Sequence, residues 1–232
     1  LETCTTVRFD PLLHQDHFLL SGEVVKGAAL ERVSRFLDHI RSLAKLNVYA
    51  HIESQSNFPT GAGIASSASA FAALAMAASH AIGLHLDEKD LSRLARKGSG
   101  SASRSIPDGF VEGRGGSGEA DAFAFSIAPA EHWDLVDLIC LIDSSHKAVG
   151  STCGHALAGT SPLQSVRLGH LQQRLEKCRQ AILRKDFDQF AEVVEEDSNL
   201  MHAVMRTSSP PLIYWLAETE IILWNVLAWR KE

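Results

Sequence analysis

Two stretches of this 232-residue chain combine residue types suited to gripping an anion. The first runs from Asn57 to Met76, through Thr60-Gly-Ala-Gly-Ile-Ala-Ser-Ser-Ala-Ser69 into a run dominated by Ala. Gly61 and Gly63 open backbone conformations closed to other residues and permit close approach of a ligand. The first turn of the following helix leaves N–H groups unpaired at its positive dipole end, and Ser66, Ser67 and Ser69 add hydroxyls. That combination suits a phosphate. The same residues also describe a Gly-capped buried helix with serines at its N-cap, and residue types alone leave both readings open. No Lys follows the glycines, so this is not a Walker A loop.

The second stretch is Lys97-Gly-Ser-Gly-Ser-Ala-Ser-Arg-Ser105. Here Ser99, Ser101, Ser103 and Ser105 surround Arg104. An Arg fork gives bidentate contacts to phosphate or carboxylate, and nearby hydroxyls and amides can complete such a site. A helix C-cap followed by a polar loop with a surface Arg fits the residues equally.

These stretches need elements to hold them. Residues 4–10 and 47–56 alternate and predict strands, with 17–21 pairing onto the first after a turn at 11–16. From Ala28, apolar positions 30, 33, 36, 37, 40 and 43 predict a helix to about Lys45. Its polar side, Glu31, Arg32, Arg35, Asp38 and Arg41, reads as a solvated face. The Ala-rich helix extends to about Ile82. Asp87 caps the next one, which Gly98 ends. Residues 113–118 read as a loop and 120–127 as a strand. The apolar run at 134–143 reads as a buried strand with Cys140 in the core. Helices follow over 163–184, from Asp186 to about Met205, and near the C-terminus. Composition shifts near Pro129, giving parts 1–129 and 130–232.

Composition sets limits. The chain is 45% hydrophobic and 22% charged, as ordinary globular proteins are. A formal net charge of −6 argues against nucleic acid or an anionic membrane surface as main partner. Cys4, Cys140, Cys153 and Cys178 lack metal or redox spacing and read as reduced thiols of a cytoplasmic protein. His14-Gln-Asp-His17 is the only tight histidine pair; a solvated turn is a simpler reading than a metal site. No membrane span or signal peptide is visible.

The string Asn57-Phe-Pro-Thr60 leading into Gly63-Ile-Ala-Ser-Ser-Ala-Ser69 resembles the phosphate-binding motif of the GHMP kinase superfamily. Within it, the chain is most similar to the mevalonate 5-diphosphate decarboxylase family. Lys97 to Ser105 with Gly109-Phe-Val-Glu112 resembles that family's substrate motif. His146-Lys-Ala-Val-Gly-Ser-Thr152, Thr160-Ser-Pro162, Asp197-Ser-Asn199, Met201-His202 and Pro210-Pro211 follow in the family's order. Three positions depart from it: Ser103 stands where a Cys commonly does, Asp108 where a Gly does, and Gly113 where a Trp often does.

The resemblance implies an α+β fold in two parts, the first like ribosomal protein S5 domain 2 and the second ferredoxin-like, with the active site between them. It implies ATP and Mg²⁺ as cofactors, with Gly61, Ala62, Gly63, Ala65, Ser66, Ser67 and Ser69 on the nucleotide and Ser67 also on the metal. Ser99, Gly100, Ser101, Ala102, Ser103 and Arg104 would hold (R)-5-diphosphomevalonate. Arg104 would engage the departing carboxylate, and Arg32 would reach the diphosphate. The implied reaction is ATP-dependent decarboxylation to isopentenyl diphosphate in isoprenoid biosynthesis, by a cytoplasmic homodimer. Alternatives are a phosphomevalonate decarboxylase, a mevalonate 3-kinase-type relative, or a non-catalytic remnant that binds ligand alone.

Two family segments do not occur in the chain: Lys-Tyr-Trp-Gly-Lys, and the Asp-Ala-Gly-Pro that supplies the catalytic Asp. The sequence begins at Leu1, not Met. The expectation is that both parts are truncated, that the natural protein is longer, and that these residues alone do not turn over.

Overall fold

The computed structural model describes residues 1–59, 64–116, 118–143 and 151–230. It divides into two compact units, Leu1–His132 and Trp133–Glu232.

The first unit is built on a four-stranded sheet of order β1-β4-β2-β3. Strand β1 (Thr3–Asp10) runs antiparallel to β4 (Tyr49–Ser56), with Val7 opposite Ile52. Strand β2 (His17–Leu20) lies on the other side of β4, parallel to it, and turns back into the short β3 (Glu23–Val24). The expected β1–β2 pair therefore does not form. Asp16 supplies a physical reason: its carboxylate accepts the Ala50 N–H at 2.8 Å, which anchors the start of β2 to β4.

Helices α1 (Ala28–Ala44), α2 (Ser66–Ala81) and α3 (Glu88–Gly98) supply much of the core. Val33, Phe36, Leu37 and Ile40 of α1 are buried at the spacing the sequence predicts, and Leu91, Leu94 and Ala95 do the same for α3. The alanines of α2 let it lie close against β1. Asp87 caps α3 as expected, accepting the Asp90 N–H at 2.7 Å. The polar side of α1 is not uniformly solvated. Arg41 is buried, pairing with both carboxylate oxygens of Asp16 at 3.0 and 3.1 Å. The expected solvated turn at 14–17 thus carries a buried anion, because Asp16 has a buried cation to meet.

The loop expected after residue 112 is in part a strand. β5 (Phe110–Arg114) pairs antiparallel with β6 (Phe123–Ala128). Gly109 enters β5 at φ 76°, and a Cβ there would collide with the Ala128 carbonyl, so glycine alone fits.

The second unit, among its described residues, is helical: α4 (Ser151–Ala158), α5 (Gln164–Gly169), α6 (Leu171–Arg184), α7 (Phe187–Arg206) and α8 (Ala217–Trp229). The helix expected over 163–184 is broken at His170. The strand expected at 134–143 is absent. Those residues have no regular structure, Val136 and Leu138 are 88% and 85% exposed, and Cys140 is exposed rather than in the core. A strand needs a ladder partner, and the described part of this unit contains none. Arg174 is buried, bonding Asp197 at 3.2 Å, whose other oxygen takes Arg167 at 2.9 Å. No described helix is long and apolar enough to cross a membrane.

His202 of α7 stacks 4.2 Å from the Trp215 ring. Burial, and secondarily the charge of Arg206, lowers its pKa, so this unit favours the neutral imidazole. The unfolded chain then binds more protons below its ordinary value of about 6.5. Stability from this group is complete above that value and is lost as pH falls toward the lowered one. The expected result is a urea midpoint that drops between pH 7.5 and 5.5, with a smaller drop in His202→Gln. Equal drops would assign the acid sensitivity to other groups.

Candidate active site

The first anion-gripping stretch ends on α2. Gly61, Ala62 and Gly63, expected on the nucleotide, lie outside the described residues. Ala65 is the N-cap residue, held in the left-handed region at φ 50°, ψ 30°, with no side chain capping the helix. An L-residue there costs about 1–2 kcal/mol, and this strained corner leads straight into the first turn of α2. Ser67 is exposed on that turn, whereas Ser69 is committed inward. The Ser69 hydroxyl donates to the Ser66 carbonyl at 3.1 Å and accepts from Thr3 at 2.9 Å, tying α2 to β1.

The second stretch stands directly beside this turn. Ser99 leaves α3 in extended conformation, and Gly100–Ser105 form a 3₁₀ turn packed against α2 and α3. Ser67 Oγ lies 3.3 Å from Ser99 Oγ, which lies 3.4 Å from Ser101 Oγ. Three hydroxyls from two distant parts of the sequence therefore form one row at the start of α2. Ala102 and Ser103 are buried, and the Ser103 hydroxyl donates to the Gly100 carbonyl at 3.1 Å; these two side chains support the turn from behind. Arg104 is exposed, and among the described residues its guanidinium has no hydrogen bond or ion pair. Its stem lies over Gly113 of β5, where a Cβ would touch Cδ at 3.4 Å. A cation so placed is free to take an anion from solution.

Arg32 joins the same neighbourhood from α1. Its Nη2 donates to the Gly98 carbonyl at 2.7 Å, and its guanidinium lies 4.7 Å over the Phe71 ring. With Arg35, His39 and Lys97 it lines a cavity of about 260 Å³, floored by Phe36 and Gly98. A Cβ at Gly98 would collide with the Phe71 ring, so the close approach of α2 and α3 requires glycine. Arg35, His39 and Lys97 were not singled out from the sequence as site residues. The available signal was their spacing: Arg32, Arg35 and His39 recur at helical intervals on one face of α1.

Exposed hydroxyls at the start of a helix and nearby cationic side chains fit a nucleotide's phosphate tail and an acidic co-substrate. A serine hydroxyl such as Ser67 can also serve a phosphate-bound divalent cation.

Comparison with known proteins agrees with this chemistry. Residues 1–124 match the diphosphomevalonate decarboxylase-like N-terminal domain, and residues 137–228 match the mevalonate 5-diphosphate decarboxylase C-terminal domain. The diphosphomevalonate decarboxylase of Ganoderma lucidum is 40% identical over 231 residues, covering 92% of this chain and 58% of that protein. The phosphomevalonate decarboxylase of Haloferax volcanii is 32% identical, covering 99% of this chain and 70% of that one. The solved complex of MDDEF with MVAPP, AMPPCP and magnesium is 36% identical, with a TM-score of 0.89 over 99% of this chain and 71% of the other. The chain thus spans about three fifths of the Ganoderma protein's length.

Proposed function

The chain belongs to the diphosphomevalonate decarboxylase family, with its GHMP kinase-like α+β fold, and from that premise we propose ATP-dependent decarboxylation of (R)-5-diphosphomevalonate to isopentenyl diphosphate. The observation that carries it is the 3.3 Å approach of Ser67, at the start of α2, to Ser99, at the start of the Arg104 turn. Nucleotide-gripping and acid-gripping residues share one surface.

The residues divide the work. The α2 first turn with Ser66 and Ser67 holds the anionic tail of ATP, and Ser67 is the hydroxyl offered to magnesium. Bound ATP supplies the phosphoryl group that makes the tertiary 3-hydroxyl a leaving group. Ser99 and Ser101, with the backbone of Gly100, Ala102 and Ser103, orient the acidic substrate. Arg104 fixes the carboxylate that leaves as carbon dioxide, aligning its carbon–carbon bond with the departing 3-oxygen. Arg32 faces the diphosphate from the cationic cavity. In this reading residues 1–129 form the nucleotide-binding part and 130–232 the C-terminal part. Family resemblance supports a cytoplasmic homodimer.

A second reading, decarboxylation of mevalonate 5-phosphate, draws support from the Haloferax relative. A panel of diphosphomevalonate, phosphomevalonate and mevalonate, with ATP, Mg²⁺ and carbon dioxide detection, separates them. The diphosphate is expected to exceed the monophosphate by about 10- to 100-fold in kcat/KM, the worth of one charge-assisted contact. Carbon dioxide from the monophosphate alone would select the second reading. Phosphoryl transfer without carbon dioxide would make the protein a 3-kinase, and nucleotide binding without turnover a ligand-binding protein.

A further inference from the structure

Ser92 is the one fully buried polar side chain of α3, at 0% exposure. Its hydroxyl is used twice. It donates to the Ser103 carbonyl at 3.0 Å and accepts the Ala124 N–H at 2.8 Å. Both partners are themselves buried. One atom therefore joins three elements: α3, the 3₁₀ turn and β6.

The carbonyl it grips belongs to the peptide that leads into Arg104. Rotation of that peptide would swing the Cα–Cβ bond of Arg104. The exposed guanidinium itself gains no orientation from described hydrogen bonds, so its direction is set at the stem. On one side the stem rests on Gly113 of β5, and β5 is held in register by β6 through Gly113 opposite Ala124. Ala124 is the residue whose N–H Ser92 accepts. The hydroxyl thus fixes both the peptide that launches Arg104 and the strand pair against which its stem lies.

We propose that Ser92 is a positioning residue for Arg104, acting through the Ser103 carbonyl and the Ala124 amide. This rests on the proposed decarboxylation, and carbon dioxide release by the parent protein keeps the two claims separable. Ser92→Ala removes both hydrogen bonds. Ser92→Cys keeps the volume with a poor donor and acceptor, and serves if the alanine variant does not fold. Ser92→Thr restores the hydroxyl. Ser79→Ala on α2 is the control, since Ser79 is buried to 2% and its hydroxyl has no partner among the described residues.

In the full protein, kcat for decarboxylation is expected to fall about tenfold or more in Ser92→Ala or Ser92→Cys, since small misplacements of an orienting group are costly. ATP affinity is expected to stay within about twofold, because the start of α2 is not disturbed. Ser92→Thr is expected to recover most of the lost rate, and Ser79→Ala to match the parent. A folded Ser92→Cys with parental kcat would overturn the proposal. So would parallel loss of kcat and ATP affinity, the mark of a general packing defect. A parent protein that releases no carbon dioxide would defeat the proposed function, whereas Arg104→Ala decarboxylating at the parental rate would leave that function standing and overturn the roles of Arg104 and Ser92.

Discussion

Arg104→Ala is expected to lower decarboxylation by about 10²- to 10³-fold, the range for removing one preorganised charge-stabilising donor. Nucleotide affinity is expected to change by no more than about threefold, since first-turn amides and the Ser67 hydroxyl remain. Folding stability is expected to hold, because Arg104 is exposed and its guanidinium bonds no described residue. Arg104→Lys is expected to recover little, since an ammonium keeps the charge but lacks the planar fork that matches a carboxylate. Kinetics, calorimetric nucleotide binding and thermal unfolding on the same preparations test all three statements. Equal loss of rate, nucleotide affinity and stability would mean that Arg104 supports the fold instead of the chemistry.

The largest effect on stability is expected at the Asp16–Arg41 pair. Both are buried, at 4% and 7% exposure. Beyond its two bonds to Asp16, the Arg41 guanidinium reaches Asp38 at 2.8 Å and the Ser34 and Val48 carbonyls at 3.2 and 3.3 Å. Burial alone would lower the Arg41 pKa, but its hydrogen bonds and charge pairing with Asp16 and Asp38 outweigh that and raise it. The cation is thus fully charged throughout the working pH range. Arg41→Ala strands a buried carboxylate, and Asp16→Ala strands a buried guanidinium. Each is expected to cost about 3–5 kcal/mol, read as a lowered urea midpoint at unchanged slope. Replacing both together, Asp16→Leu with Arg41→Met, is expected to cost less than the sum, since neither charge is then left alone. Additive losses would show that the two side chains do not act as a pair.

Much of the first unit was legible because its local and global preferences agree. The apolar spacing from Leu30 to Ile40 marks α1 whatever lies opposite it, and Asp87 with Asp90 marks the start of α3. The apolar run at 134–143 misled, because strand pattern is a statement about fitting a sheet and no described sheet in its unit receives it. Arg41 misled for a related reason. Its position on the polar side of α1 is correct, but burial there depends on Asp16, which is 25 residues away and unremarkable in sequence.

By itself the sequence determined the chemistry on offer. Glycines and serines before an Ala-rich helix, and serines around Arg104, are composition at fixed spacing, and those properties travel with the chain wherever it folds. Whether the two stretches cooperate was decided only by tertiary structure. Ser67 and Ser99 stand 32 residues apart and meet at 3.3 Å because α2 and α3 pack closely enough, across Gly98 and Phe71, to bring their ends together. The same packing chose which serines point outward and which, like Ser69, Ser92 and Ser103, turn inward to hold the frame. Spacing along a chain sets what a residue can do; the direction of its side chain follows from long-range contacts that no local pattern encodes.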